Sequence, residues 1–256
     1  MSFLTDSSHL FVRLVRGSVR MPVWLIMSMV QPIIWMALFG QLFRVVATLP
    51  GFGGGSYIQF LAPGIVMMSV LIGAAWGGMG MIFDINFGVI DRLLATPVSR
   101  GAFIAARVMH ASATACVQGL VILTMAFVLG ARPAGGVVGL VLLLVAAALL
   151  AAAFGAASNG IALLTRRPET LAAVMNFTVL PMTFTSSMIM ARDLMPGWIR
   201  TVSVINPVNW AVTVARTGFQ GGPLSQVPLP LALLAAFALG CGYLATRAFD
   251  VYRRNL

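Results

Sequence analysis

The sequence predicts an all-α integral membrane protein, and two observations lead to that prediction. Of its 256 residues, 60% are hydrophobic and only 9% carry a charge, whereas about a quarter of the residues of a soluble domain are charged. The few charges are separated by long apolar stretches, several of which reach the roughly 20 residues that a spanning helix needs. A bilayer must therefore form part of the solvent around this chain.

The charge-free stretches predict six spanning helices within a single transmembrane domain over 1–256. With turn residues removed from their ends, the predicted spans are 21–43, 57–83, 108–131, 136–164, 171–191 and 226–246. A further charge-free stretch, 201–215, is too short to span and contains Asn206, Pro207 and Asn209. We therefore expect 192–218 to form a re-entrant segment with short helices on the outer side, before the last span.

The arginines predict the orientation of the chain. An even number of spans puts both termini on one side, and eleven of the 16 basic residues, all of them arginine, fall on that side. The positive-inside rule then places both termini in the cytoplasm. The expected location is a bacterial cytoplasmic (inner) membrane.

The first twenty residues, 1–20, resemble an amphipathic helix. At 100° per residue its arginines cluster on one face and its apolar residues on the other, namely Arg13, Arg16 and Arg20 against Phe11, Val12, Val15 and Val19. Such a helix is expected to lie on the cytoplasmic lipid headgroups. A docking role and a simple anchoring role are equally compatible with this pattern.

Several classes of function are excluded by residues that the chain lacks. It contains no lysine, so it cannot carry a phosphate loop of the GxxxxGK[ST] type. His9 and His110 are far apart in the sequence, and no HExxH or CxxC pair occurs, so no metal site is expected. The net charge of +10 comes from scattered arginines, a pattern that does not favour nucleic-acid binding.

The stretch between the second and third predicted spans is the most charged on the cytoplasmic side. Asp91 precedes Leu93 and Leu94, and Pro97 follows, so a short helix ending before the proline is expected. The two leucines would form an apolar knob flanked by Asp91 and Arg92, which suits a groove on a cytoplasmic partner. An ordinary charged loop is the alternative.

This stretch resembles the cytoplasmic segment of type-2 ABC exporter permeases, most of all those of the daunorubicin-resistance type. The residues that match the family pattern are Asp84, Gly88, Asp91, Arg92, Leu93, Leu94, Thr96, Pro97 and Arg100. Further matches follow in order along nearly the whole chain, among them Gln31-Pro32, Tyr57, Phe60, Pro63-Gly64, Pro181, Trp198, Asn206-Pro207 and Arg216.

The resemblance implies a transport subunit rather than an enzyme. Two six-span permease chains, identical or different, would work with two cytoplasmic ATPase subunits that hold ATP and magnesium, while this chain needs no cofactor. The segment 84–100 would be the coupling helix, and 1–20, with Arg13 and Arg16, a connecting helix against the ATPase. The cargo implied is an amphipathic drug, lipid or glycolipid leaving the cytoplasm, as in multidrug resistance or lipid transport.

Polar and aromatic residues within the spans are the candidates for a substrate pathway: Gln31, Trp35, Asn176, Thr183 and Ser186. Hydroxyl groups in membrane helices more often bond to their own backbone, so the two amides are the stronger candidates. An ion-coupled secondary transporter is the alternative function, but it would require a carboxylate within the membrane. All six acidic residues instead lie near helix ends or in loops.

Overall fold

The computed structural model describes residues 3–20, 22–43, 57–94 and 100–254, and these residues form helices and turns without a strand. The all-helical prediction is thereby confirmed for the described part of the chain. Its α-helices are α1 (Phe3–Arg20), α2 (Pro22–Leu42), α3 (Tyr57–Asn86), α4 (Val89–Leu94), α5 (Arg100–Val128), α6 (Gly136–Thr165), α7 (Pro168–Phe184), α8 (Gly197–Ile205), α9 (Pro207–Gln220) and α10 (Pro228–Arg254).

Four helices in the described ranges are long and apolar enough to cross a membrane. They are α3, α5, α6 and α10, each with at least 27 residues. The apolar part of α2, Ile26–Leu42, and the 17-residue α7 are shorter. Four of the six predicted spans therefore coincide with membrane-capable helices, and the six-span count stays a prediction.

Helix α6 lies at the centre of the bundle and packs against α3, α5, α9 and α10. Small residues allow this close packing. At the crossing with α3, a Cβ atom on Gly78 would overlap the backbone of Ser158. The Ser158 hydroxyl accepts a hydrogen bond from the Gly78 N–H at 2.9 Å and donates one to the Ala75 carbonyl. The two helices are thus joined by polar contacts as well as by packing.

Several helices extend past the predicted spans because a charged residue was taken as the end of each span. Helix α5 begins at Arg100 rather than at 108, and α10 continues to Arg254 rather than to 246. A helix of 29 residues is about 44 Å long, whereas the hydrocarbon core is about 30 Å thick. Charged residues can therefore continue a helix into the headgroup region.

The predicted segments 84–100 and 171–191 each differ from a single helix. Asp84 still belongs to α3, and the described part of the proposed coupling helix includes α4 at Val89–Leu94. Helix α7 ends at Phe184, and a non-helical chain follows from 185 to 191. The segment predicted as re-entrant contains α8 and α9, and α9 ends at Gln220 with a left-handed glycine as its cap.

Candidate functional site

The turn between α3 and α4 is closed by Arg92. Its Nη2 donates to the Phe87 carbonyl at 2.9 Å, and its Nε donates to the Gly88 carbonyl at 3.1 Å. Gly88 has a φ of +63°, a conformation that glycine adopts without a steric penalty. Two residues of the predicted coupling pattern therefore have a visible local role, which is to fix the direction in which α4 leaves α3.

Helix α1 packs along α5, and its Arg13 lies near Asp84 at the end of α3. Leu10 is buried in this contact, and the Ser18 hydroxyl lies 2.8 Å from Nε2 of His110 on α5. Arg13 and Arg16 are exposed. The buried face of α1 thus lies against protein, while its arginines are available to lipid headgroups or to a partner.

A polar cluster joins α1, α3, α5 and α6. Its members are Arg13, Gly80, Asp84, Arg107 and Asn159. Asp84 accepts a hydrogen bond from the buried Arg107 and lies 3.9 Å from the guanidinium of Arg13. Arg107 also donates to the Asn159 side chain at 3.2 Å and to the Gly80 carbonyl at 3.3 Å. One arginine therefore holds three helices together beside the predicted coupling segment.

Not every residue of the predicted coupling pattern can be placed. Thr96 and Pro97 lie outside the described residues, and so do the side chains of Asp91, Leu93, Leu94 and Arg100. The sequence pattern includes Asp84 but predicts no role for Arg107 or Asn159. A signal was available, because Arg107 comes only seven residues after Arg100 and is followed at once by a long apolar stretch.

A second polar cluster lies where α7 ends. Asn206 caps α9 by accepting from the Val208 N–H at 2.9 Å, and its amide donates to the Met182 carbonyl at 2.8 Å. The side-chain oxygen Oδ1 of Asn209 accepts from both the backbone N–H and the hydroxyl of Ser187, at 3.1 and 2.7 Å. Helix α9 thus satisfies backbone groups that the end of α7 leaves without helical partners.

Arg216 completes this second polar cluster. Its Nη2 donates to the Ser187 and Met188 carbonyls at 2.6 and 3.3 Å, and the guanidinium lies 3.8 Å from the ring centroid of Phe60 on α3. Burial lowers the pKa of Arg216 to about 9, an effect that the nearby Tyr57 opposes, so the side chain stays charged at neutral pH. The cation and its aromatic partner fix the non-helical chain against α3.

The predicted pathway residues lie in three kinds of environment. Gln31 and Asn176 are exposed on α2 and α7. The hydroxyls of Thr183 and Ser186 donate to the Val179 and Thr183 carbonyls at 2.8 and 2.7 Å, which is a local backbone role. Trp35 is half-buried, and its ring lies 4.9 Å from that of Phe39. Within one chain α2 packs on α3 and α5, and α7 packs on α3 and α6, so these residues do not form one enclosed site.

Long apolar helices joined by buried polar clusters define a helical protein with four helices, in its described part, that are long enough to cross a membrane. The chain belongs to the ABC-2 type transporter family, whose model matches residues 7–219. This match includes both polar clusters.

The relatives of this chain are named as transport permeases rather than enzymes, in agreement with the sequence prediction. A putative transport permease ycf38 of Pyropia yezoensis is 29% identical over 84% of this chain and 74% of its own length. The daunorubicin resistance ABC transporter permease protein DrrB1 of Streptomyces coeruleorubidus is 27% identical over 78% of this chain and 70% of its own. The inner membrane transport permease YadH of Escherichia coli strain K12 is 27% identical over 89% and 90%.

Proposed function

We propose that this chain is the permease subunit of an ATP-driven ABC exporter whose ATPase is a separate polypeptide. The observation that carries the proposal is the family match over residues 7–219 in a chain that has no lysine for a phosphate loop. ATP and magnesium would be bound by the partner. One relative is itself named an ABC transporter permease, which supports this assignment.

The ATPase would contact the α3–α4 turn, the segment 84–100 and the arginines of α1. Phe83, near the end of α3, and Phe87, in the turn that follows, are 52% and 72% exposed. Large exposed apolar residues next to charges are typical of a docking surface. The Arg92 contacts that fix the direction of α4 would let a displacement of α4 reach α3.

Six spans and cytoplasmic termini in a bacterial inner membrane remain part of the proposal. With 21 residues, α2 is about 31 Å long and matches the hydrocarbon thickness. The 17 residues of α7 extend about 25 Å. The non-helical 185–191 would then continue the crossing, which is tolerable where protein groups satisfy its backbone, as Arg216 and Asn209 do.

A second copy of the permease is proposed to cover α2 and α7. Gln31 lies on the same face of α2 as Met27 and Leu38, which are 63% and 62% exposed. Asn176 lies at the midpoint of α7. Transfer of an amide into hydrocarbon without a hydrogen-bond partner costs about 2–7 kcal/mol, so a polar neighbour or a water-filled pathway is expected beside each.

Transport would use ATP to alternate between two arrangements of the permease pair. ATP binding closes the ATPases, displaces α4, and tilts the spans from inward- to outward-favouring positions. The cargo must have different affinities for the two arrangements. An amphipathic drug, a lipid or a glycolipid suits a pathway lined by Trp35 and the amides of Gln31 and Asn176, and Thr183 and Ser186 would contribute only after their local bonds change.

The test is purification of the tagged chain in lipid nanodiscs, with mass spectrometry and an ATP hydrolysis assay. We expect a stoichiometric partner with a phosphate-loop lysine, and we expect Leu94→Asp to keep insertion but to uncouple hydrolysis from transport. The same substitution at exposed Leu224, which lies before α10 and outside the predicted spans, is the control. A pure chain that moves solute with no ATPase would reject the proposal in favour of ion-coupled transport.

A further inference from the structure

Arg107 makes contacts with two other helices in the polar cluster beside the α3–α4 turn. It is 8% exposed, it contacts Asp84 and the Gly80 carbonyl on α3, and it contacts Asn159 on α6. Its guanidinium also lies 5.2 Å from the ring centroid of Phe103 on its own helix. A planar guanidinium can bind several acceptors at once in fixed directions, so its position is defined from three sides.

The Asn159 side chain is oriented for this contact. Its Nδ2 donates to the Gly155 carbonyl of α6 at 2.7 Å, which leaves Oδ1 directed at Arg107. An amide has one acceptor end and one donor end. Asn159 therefore recognises a donor at this position, and Arg107 supplies it.

The contacts of Asp84 with its two arginines differ in strength. Arg13 is about half exposed and 3.9 Å away, and exposed ion pairs contribute little and are screened by salt. Arg107 is buried, and removal of one partner from a buried pair is strongly destabilising because a charge is left uncompensated. The position of Asp84 is thus set by α5 and α6, while the contact with α1 is exchangeable.

Little free chain separates Asp84 from α4. Helix α3 ends two residues later at Asn86, and the Phe87–Gly88 turn is held by Arg92. A displacement of α4 is therefore transmitted to Asp84 with little loss, and from Asp84 through Arg107 to two membrane-capable helices.

We propose that Arg107 is a positioning residue: through Asp84 and Asn159 it makes the cytoplasmic ends of α3, α5 and α6 move as one body when α4 is displaced. This inference rests on the proposed function, because an ATPase must displace α4. The family match assigns no role to Arg107 or to Asn159.

The first test uses the permease alone, so it does not depend on any ATPase. Spin labels replace Asn86 on α3 and Leu164 on α6, both exposed, in a chain without its two cysteines, and electron–electron resonance measures their distance in nanodiscs. The wild-type pair gives one narrow distance distribution, and Arg107→Gln broadens it. Arg107→Lys keeps a charge for Asp84 but loses the fixed fork that also reaches Asn159 and the Gly80 carbonyl, so its distribution lies between those of wild type and Arg107→Gln. A distribution as narrow in Arg107→Gln as in wild type overturns the proposal.

The second test uses the permease with its ATPase. Labels on Val204 of α8 and Val137 of α6, both exposed, report the outer side with and without ATP and vanadate. Arg107→Gln keeps ATP hydrolysis. It reduces about tenfold the fraction of molecules whose Val204–Val137 label distance changes with nucleotide, which is within the range of coupling between sites. The control is Arg247→Gln, which removes an exposed arginine that bonds Tyr243 of its own helix at 2.9 Å and leaves the change intact. A full change in Arg107→Gln overturns the inference, whereas absence of any ATPase rejects only the proposed function.

Discussion

Replacement of Arg216 by glutamine should destabilise the packing of α9 against α3 and the end of α7 by about 3–5 kcal/mol. The substitution removes the donor from the Ser187 and Met188 carbonyls, and each buried acceptor left unsatisfied costs about 1–3 kcal/mol. It also removes the cation from the ring of Phe60, a contact worth about 2 kcal/mol when desolvated. The neutral glutamine no longer carries the cost of burying a charge, which offsets part of this loss. The expected total is therefore smaller than the sum of these contributions.

The assay is equilibrium unfolding in a mild detergent. In a second measurement, a cysteine replaces Met190 in the non-helical chain, and its rate of labelling is measured. Arg200→Gln is the matched control, because Arg200 is exposed on α8 and donates to the Asp193 carbonyl at 3.0 Å. It should lose less than about 1 kcal/mol, as is usual for surface positions. If Arg216→Gln unfolds like this control and labelling at Met190 is unchanged, the clamping role of Arg216 is refuted.

Three further substitutions test the packing between helices. Gly64→Ala should lower the melting temperature, because a Cβ atom there would overlap the Met188 carbonyl. Gly77→Ala on the same helix is the control. Its Cβ atom would meet nothing within 4 Å, so this substitution should be neutral or slightly stabilising. Equal melting temperatures would contradict the close approach. Ser158→Ala should cost about 1–2 kcal/mol through lost hydrogen bonds to α3, measured by unfolding, and no loss would show that packing alone joins the helices. Asn206→Ala should speed proteolysis of the α8–α9 connection, since about 1 kcal/mol of cap energy is lost; an unchanged cleavage rate would argue against it.

Composition and charge spacing predicted the helical class and the order of the long helices. Both predictions require only a count of apolar residues between charges. The same rule could not predict that Arg107 lies inside a helix and is buried. Whether a charge ends a helix depends on a partner that is distant in the sequence, here Asp84 on α3 and Asn159 on α6. Spacing within one segment carries no information about that partner.

The end of α7 shows the same limit. The charge-free stretch to 191 predicted a continuous span, yet the helix ends at Phe184. A helix can end there because Asn209 and Arg216, more than twenty residues later, satisfy the backbone of the chain that follows. The sequence does contain both residues in the segment assigned to the outer side, but their contact with Ser187 depends on tertiary packing.

Photo-crosslinking from position 87 can show whether an ATPase binds at the α3–α4 turn, since Phe87 is 72% exposed there. A benzophenone amino acid replaces Phe87 in cells, and the same substitution at Trp198 on α8, 66% exposed, serves as the control. We expect a crosslink from position 87 to a cytoplasmic subunit with a phosphate-loop lysine, and none from position 198. Crosslinks from position 87 to lipid alone, in a chain that still transports, would contradict it.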